Sequence, residues 1–420
     1  MNAQSALWHP FANMAELSVG ELVVDSADGC WITDEDGKRY LDGTASLWYC
    51  NVGHGRREIA AAVARQLEKL DAFSIFSYYA NRPAMELADR LSTLAPMQDA
   101  KIFLTCGGGE AIDTAVKIAR KFHVEHGESR RVHVLSRQGS YHGTNGIGTA
   151  LAGIEANREG FGSYMPDSSR VEYGSLTSLQ TSIDTIGADN IAAYVFEPVI
   201  GAGGVLSPPE GYIEGAVEMC RRNGILTIAD SVIGGFGRLG TWFGVERWKV
   251  EPDLIAFAKG VTSGYLPLGG VAVASHVAEP FWTGRGKALN HGPTYSGHPA
   301  SCAAALVNLG ILEDENLLDR SRKFEEVLRS ALVDALGNSS NLKEIRAGVG
   351  LMAGVVLTDD VLAQFPDATL RVQRAARDGG VIVRGLGGGV VAMSPPLIIT
   401  EPEIDILVGT LADAVDGVTR

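Results

Sequence analysis

Apolar positions along the chain recur with two periods, and the order in which those periods alternate outlines a fold. Residues 22–43 hold short β-type runs separated by the turn signals Asp28-Gly29 and Asp36-Gly37, which predicts a small antiparallel sheet. Residues 57–70 (REIAAAVARQLEKL) and 83–94 carry the 3.6-residue period of amphipathic helices. From about residue 101 short apolar runs alternate with helical stretches. KIFLT, RVHVLSR, AAYVFEPV, ILTIAD, LIAFAK and GGVAVAS read as strands, with helices over 110–123 and 212–222 between them. Strands spaced by helices predict a largely parallel sheet covered on both faces. Beyond Pro299 the pattern becomes two helices, 300–312 and 318–336, then a smaller α+β segment with strands near 351–356 and 380–383.

Two of the apolar runs end abruptly in an ionisable residue followed closely by glycine. Residues 225–229 end at Asp230, and residues 254–258 end at Lys259. In a parallel sheet the strands are buried and ligands bind beyond their carboxyl ends. A carboxylate and an amine at such ends suit a cofactor with a pyridinium nitrogen and an aldehyde. A desolvated lysine loses basicity and forms a Schiff base with an aldehyde. A lysine on a solvated loop is the plainer alternative. A buried Asp230 needs a cationic partner or several hydrogen bonds, and Arg238 or a helix N-terminus would serve equally well.

Composition narrows the function classes. The chain has 420 residues, long enough for two domains. Its 36 Lys and Arg stand against 50 Asp and Glu, a net charge of −14, which argues against nucleic acid or an anionic membrane as partner. Five cysteines without CxxC or metal-ligand spacing point to a reducing compartment. No Lys or Arg precedes Lys38 and no apolar run reaches the roughly 18 residues of a membrane helix, so a cytoplasmic protein is expected. The 51 glycines exceed the usual share of about 7% and cluster where strands end, instead of forming linkers.

Gly107-Gly108-Gly109 joins a predicted strand to a helix, which makes a cup of free amides for an anion such as phosphate. It has neither the GxxxxGK[ST] of a triphosphate loop nor a dinucleotide fingerprint, and a plain tight turn accounts for it equally well. Tyr141-His142-Gly143 follows a strand, and Tyr141 could stack on a flat cofactor or sit in the core. Trp48 lies in a small-residue loop with the same two readings. His291, Thr294, Tyr295 and His298 form a polar, aromatic loop without metal spacing, so no zinc site is expected. Arg384 is read as ending the strand at 380–383 and could clamp a carboxylate.

Taken in order, LDG…GH, the glycine cup with Glu-Ala, YHG, EP-x-x-GAGG, D-x-V…GFGR, AKG, TYSGHP and R…PPL resemble one family along the whole chain. The chain is similar to the class III (subgroup II) pyridoxal-phosphate aminotransferases, closest to the omega-aminotransferases that include amine:pyruvate and β-alanine:pyruvate enzymes. The resemblance implies fold type I, an α/β large domain with a mostly parallel seven-stranded sheet between helices, and a smaller α+β domain from both termini. The implied divisions are 1–55, 56–310 and 311–420. It implies pyridoxal 5′-phosphate as cofactor, with pyridoxamine phosphate as its intermediate form. Lys259 would form the Schiff base and shuttle a proton, and Asp230 would pair with the pyridinium nitrogen. Val232 and Tyr141 would flank the ring, with His142 beside them. Gly108 and Gly109 would bind phosphate, and Thr294 would reach it from a neighbouring subunit. Trp48 and Arg384 would border the substrate. The implied assembly is a homodimer with shared active sites, or a higher oligomer built from it.

Two positions depart from the family pattern. Gly107-Gly108-Gly109 stands where Ser-Gly-Ser is usual, and loss of a neutral hydrogen bond, about 0.5–1.5 kcal/mol, predicts weaker cofactor retention. Ser231 replaces a glutamate beside Asp230, which predicts a change on the substrate side of the pocket. The implied reaction is a ping-pong transamination from a primary amine or omega-amino acid to a 2-oxo acid, pyruvate before 2-oxoglutarate. Racemase, epimerase, aminomutase or decarboxylase chemistry on the same cofactor is the alternative, and a non-catalytic binding relative is the third reading.

Overall fold

In the computed structural model residues 6–17, 21–162, 164–284 and 287–419 are described. The turn signals at 28–29 and 36–37 do close an antiparallel sheet of β1 (Val24–Asp28), β2 (Trp31–Asp34) and β3 (Arg39–Asp42). Gly29 and Gly37 take φ +58° and +82°, backbone that residues with a Cβ rarely adopt.

The apolar runs from residue 101 onward build one seven-stranded sheet. Its strands are β4 (Lys101–Thr105), β5 (His133–Arg137), β6 (Ser168–Val171), β7 (Ile191–Phe196), β8 (Leu226–Asp230), β9 (Leu254–Phe257) and β10 (Gly269–Val273), in the spatial order β4-β10-β9-β8-β7-β5-β6. β10 runs antiparallel to both neighbours and every other pairing of adjacent strands is parallel. β7, β8 and β9 are buried at every position, as unbroken apolar runs require when helices cover both faces. The parallel strands β4, β5, β7, β8 and β9 therefore end at one edge, at Cys106, Gln138, Glu197, Asp230 and Lys259 or just before them.

A third sheet, β11-β12-β15-β14, comes from the last quarter of the chain: β11 (Leu342–Arg346), β12 (Ala353–Leu357), β14 (Arg384–Leu386) and β15 (Val390–Met393). The short β13 (Val381–Ile382) leaves that region and pairs in parallel with Leu41 and Asp42 of β3. The run at 380–383 is therefore two things. Val381–Ile382 completes the N-terminal sheet, and Arg384 opens a strand of a different sheet instead of ending the first. A change of sheet within three residues leaves no trace in hydrophobic periodicity, because the two strands are only two and three residues long.

One buried guanidinium ties these parts together. Arg238, fully inaccessible, donates from Nη1 to Leu351 O (2.7 Å) and Pro395 O (2.6 Å) and from Nη2 to Asn51 Oδ1 (2.9 Å). Burial lowers its pKa to about 9, and it stays charged at neutral pH. Each buried acceptor left without a donor costs about 1–3 kcal/mol. Arg238→Ala is therefore expected to destabilise the fold by at least about 3 kcal/mol, read as a large drop in melting temperature. A variant melting within a degree or two of the parent would show that these contacts are dispensable.

Candidate active site

At the carboxyl edge of the sheet lies a cavity of about 480 Å³. Its walls include Gly107, Gly108, Gly109, Tyr141, His142, Glu197, Asp230, Val232 and Lys259, contributed by the ends of β4, β5, β7, β8 and β9. Seven of the expected site residues are thus brought together: Lys259, Asp230, Gly108, Gly109, Tyr141, His142 and Val232.

Asp230 is almost wholly buried, and its two oxygens have separate partners. His142 Nδ1–H donates to Oδ2 at 2.8 Å, and the Val232 amide donates to Oδ1 at 3.1 Å. Arg238 bonds elsewhere, so the ion-pair alternative for Asp230 falls away. His142 is itself buried, and its Nε2 has no protein partner. The imidazole stands behind the carboxylate and orients it.

Lys259 follows β9 directly and adopts φ +51°, a left-handed conformation that costs energy for any residue with a side chain. Desolvation lowers its amine pKa, while Asp230 and then Glu197 oppose that shift. The result is a larger neutral fraction than an ordinary lysine has, which is what attack on a carbonyl requires.

Glu197 was not among the residues expected to act. It ends the run at 192–196 as Asp230 ends 225–229, so the same signal was present, hidden inside the EP motif. Its Oε1 accepts from the Tyr141 amide and its Oε2 from the Gly201 amide, both at 2.9 Å. Burial, and next the charge of Asp230, raise its pKa, while His142 and the two amides act the other way. It fixes the Tyr141 turn and adds a second carboxyl group to the cavity wall.

The cup has the shape an anion needs. Gly107 is the N-cap of the helix Gly108–Glu125, whose first-turn amides lack intrahelical acceptors. A Cβ on Gly108 would lie 2.8 Å from Val232 Cγ1, so only glycine fits under that side chain. Around Gly107 there is open space. Carboxylates at one end of the cavity and free amides at the other match a group with a cationic ring nitrogen and a phosphate.

The remaining expected residues lie outside the cavity lining. The Arg384 guanidinium stacks on Trp48, 5.0 Å from the ring centroid, and its Nε has no protein partner. Burial raises the Tyr141 pKa, and the charge of Arg384 acts the other way. Trp48 is buried and held at φ +58°. Thr294 is exposed and does not line this chain's own cavity; it stands beside Tyr295, which is 70% exposed. Ser231 is fully buried with an unpartnered hydroxyl and does not line the cavity, since successive residues leaving a strand point to opposite sides.

The chain matches the family described as aminotransferase class-III over residues 14–415. It is 34% identical to a beta-alanine–pyruvate aminotransferase of Pseudomonas aeruginosa, covering 98% of this chain and 96% of that one. An omega-aminotransferase of Caulobacter vibrioides is 33% identical, with 98% and 97% covered. Among solved structures, an amine transaminase from an uncultivated Pseudomonas species in its PLP-bound form superposes with a TM-score of 0.94 at 35% identity, covering 99% of each chain.

The electrostatics of Lys259 can be checked directly. In protein stripped of cofactor, the rate of pyridoxal phosphate capture should rise with pH through an apparent pKa below the ordinary lysine value. Asp230→Asn removes the larger of the two carboxylate influences that favour the ammonium, so that apparent pKa should move lower still. An apparent pKa that stays or rises in the variant would refute this reading.

Proposed function

Given that the chain belongs to the class III aminotransferases and is a pyridoxal-phosphate-dependent omega-transaminase, we propose that it moves an amino group from a primary amine or omega-amino acid to pyruvate in a ping-pong cycle. The observation that carries the acceptor assignment is Arg384. It makes no ion pair among the described residues, and its packed neighbour is the Trp48 ring, so its guanidinium is available to an incoming carboxylate. Residues 201–204 beside the β7 end are Gly-Ala-Gly-Gly and offer it no competing charge.

The cofactor, once bound, supplies an aldehyde for the amine and a ring that accepts the electron pair released at the substrate carbon. The protein's part follows from its own groups. The Gly107–Gly109 amides would hold the phosphate, and Val232 and Tyr141 would flank the ring. Asp230, oriented by His142, would hold a proton at the ring nitrogen. Lys259 Nζ would act as the base that takes and holds the proton released at the substrate carbon. Glu197 holds the Tyr141 turn in place. Trp48 limits the size of the amine that enters.

Thr294, exposed and absent from the lining of its own cavity, is assigned to a neighbouring copy's phosphate site in a homodimer. Exposed Phe73, Phe76, Tyr78, Tyr79, Trp282 and Tyr295 support an interface on that side. The division at residues 55 and 310 is supported by the pairing of β13 with β3, which joins the two termini in one sheet. No helix among the described residues is long and apolar enough to cross a membrane, and we place the enzyme in the cytoplasm.

The test is spectroscopic. The visible band of the purified protein should bleach on adding an amine and return on adding pyruvate, and Lys259→Ala should lack the starting band. A band that shifts with amine but never reaches the pyridoxamine form would favour racemase or decarboxylase chemistry. An unchanged spectrum in Lys259→Ala would favour a non-catalytic protein. Arg384→Ala should raise the KM for pyruvate by about 10- to 100-fold, the loss expected for hydrogen bonds to a charged group. The half-reaction with an uncharged amine should be nearly unaffected. Equal losses in both halves would remove Arg384 from the acceptor site.

A further inference from the structure

The cup has no hydroxyl of its own, because positions 107, 108 and 109 are all glycine. A neighbouring side chain fills part of the space. A Cβ built on Gly109 would lie 3.1 Å from Asn145 Oδ1 and 3.2 Å from Asn145 Cγ. The carboxamide therefore stands where a serine side chain at 109 would stand. The backbone brings it there. Gly143 adopts φ +91°, and a Cβ on it would lie 2.7 Å from Gly109 Cα, so the turn after His142 can rest on the cup only where glycine faces glycine.

Asn145 also holds a position whose ordinary use it forgoes. It is the N-cap of the helix Gly146–Leu151, where asparagine is favoured for the bond its side chain makes to the helix amides, yet no such bond forms. The side chain lines the same cavity as Gly107–Gly109. A carboxamide has two N–H donors, and rotation about the terminal bond turns them toward either side.

We propose that the Asn145 carboxamide is a side-chain ligand of the cofactor phosphate, replacing the hydroxyl that this cup lacks. The inference rests on the pyridoxal phosphate reading above. Gly109 and Asn145 form one unit in which the small residue makes room for the amide.

The experiment strips the cofactor and titrates the protein with pyridoxal phosphate, and separately with pyridoxal, reading the visible band. Asn145→Ala should weaken pyridoxal phosphate about tenfold, as expected for one hydrogen bond to a charged group, and leave pyridoxal unchanged. Asn145→Asp, nearly the same shape, should weaken it further because a carboxylate repels phosphate. Adding Gly109→Ser to Asn145→Ala should recover most of the loss. Unchanged pyridoxal phosphate affinity in both Asn145 variants, or an equal loss for pyridoxal, would overturn the proposal. If Asn145→Ala does not fold, the Asp variant decides alone. A parent protein that takes up neither ligand would instead sink the cofactor reading.

Discussion

Three ionisable groups are forced together by the sheet that carries them. β7, β8 and β9 are adjacent, parallel and buried, so the residues that end them, Glu197, Asp230 and Lys259, converge on one edge. None could be buried alone at tolerable cost. The arrangement persists because each is compensated: Glu197 by two amides, Asp230 by His142 and an amide, and Lys259 by both carboxylates. The compensation is deliberately incomplete for the lysine, whose pKa stays lowered. Reactivity at Nζ is thus a by-product of where the strands stop.

The walls around that edge depend on polar ties of a different kind. Asp42 accepts from the amides of Thr44 (3.0 Å) and Ser46 (2.7 Å) and from His54 Nε2 (2.9 Å), which folds the loop carrying Trp48. Although burial works against ionisation of Asp42, His54 and the amides prevail and hold its pKa below the usual range. Arg238 then binds Asn51 from the same loop to the segments around Leu351 and Pro395. Trp48 and Arg384 meet because these two ties bring a loop near the beginning of the chain against a strand near its end.

Much of this was legible in the sequence, for a specific reason. A fully buried parallel strand is a short apolar run, and an ionisable residue ending it stands out. That made Asp230 and Lys259 readable, and it gave six of the seven strands of the large sheet and six of the longer helices, but not the helices at 176–186, 368–378 and 401–416. Glu197 obeys the same rule, but the proline and glycines that follow it mask the end of the run. β6 is short and polar and sits at the sheet edge, so it carried no apolar signal. The boundary between β13 and β14 was invisible because strands of two and three residues are too short to show a period. Asn145 could not be found from sequence, since its role depends on the empty space at Gly109. The opposite happened with Ser231, which seemed from its neighbour to face the substrate and turns out to point away from the cavity.

The pairing of β13 with β3 has a consequence for how the protein is made. Leu41 and Asp42 leave the ribosome long before their partners Val381 and Ile382 are made. For most of translation the N-terminal hairpin carries an unpaired strand edge, a surface prone to joining other chains. The loop bearing Trp48 also waits for residues 351 and 395 before Arg238 can fix it. The catalytic sheet can assemble from residues 101–273 as they appear, but the mouth of the cavity is the last part of the molecule to close.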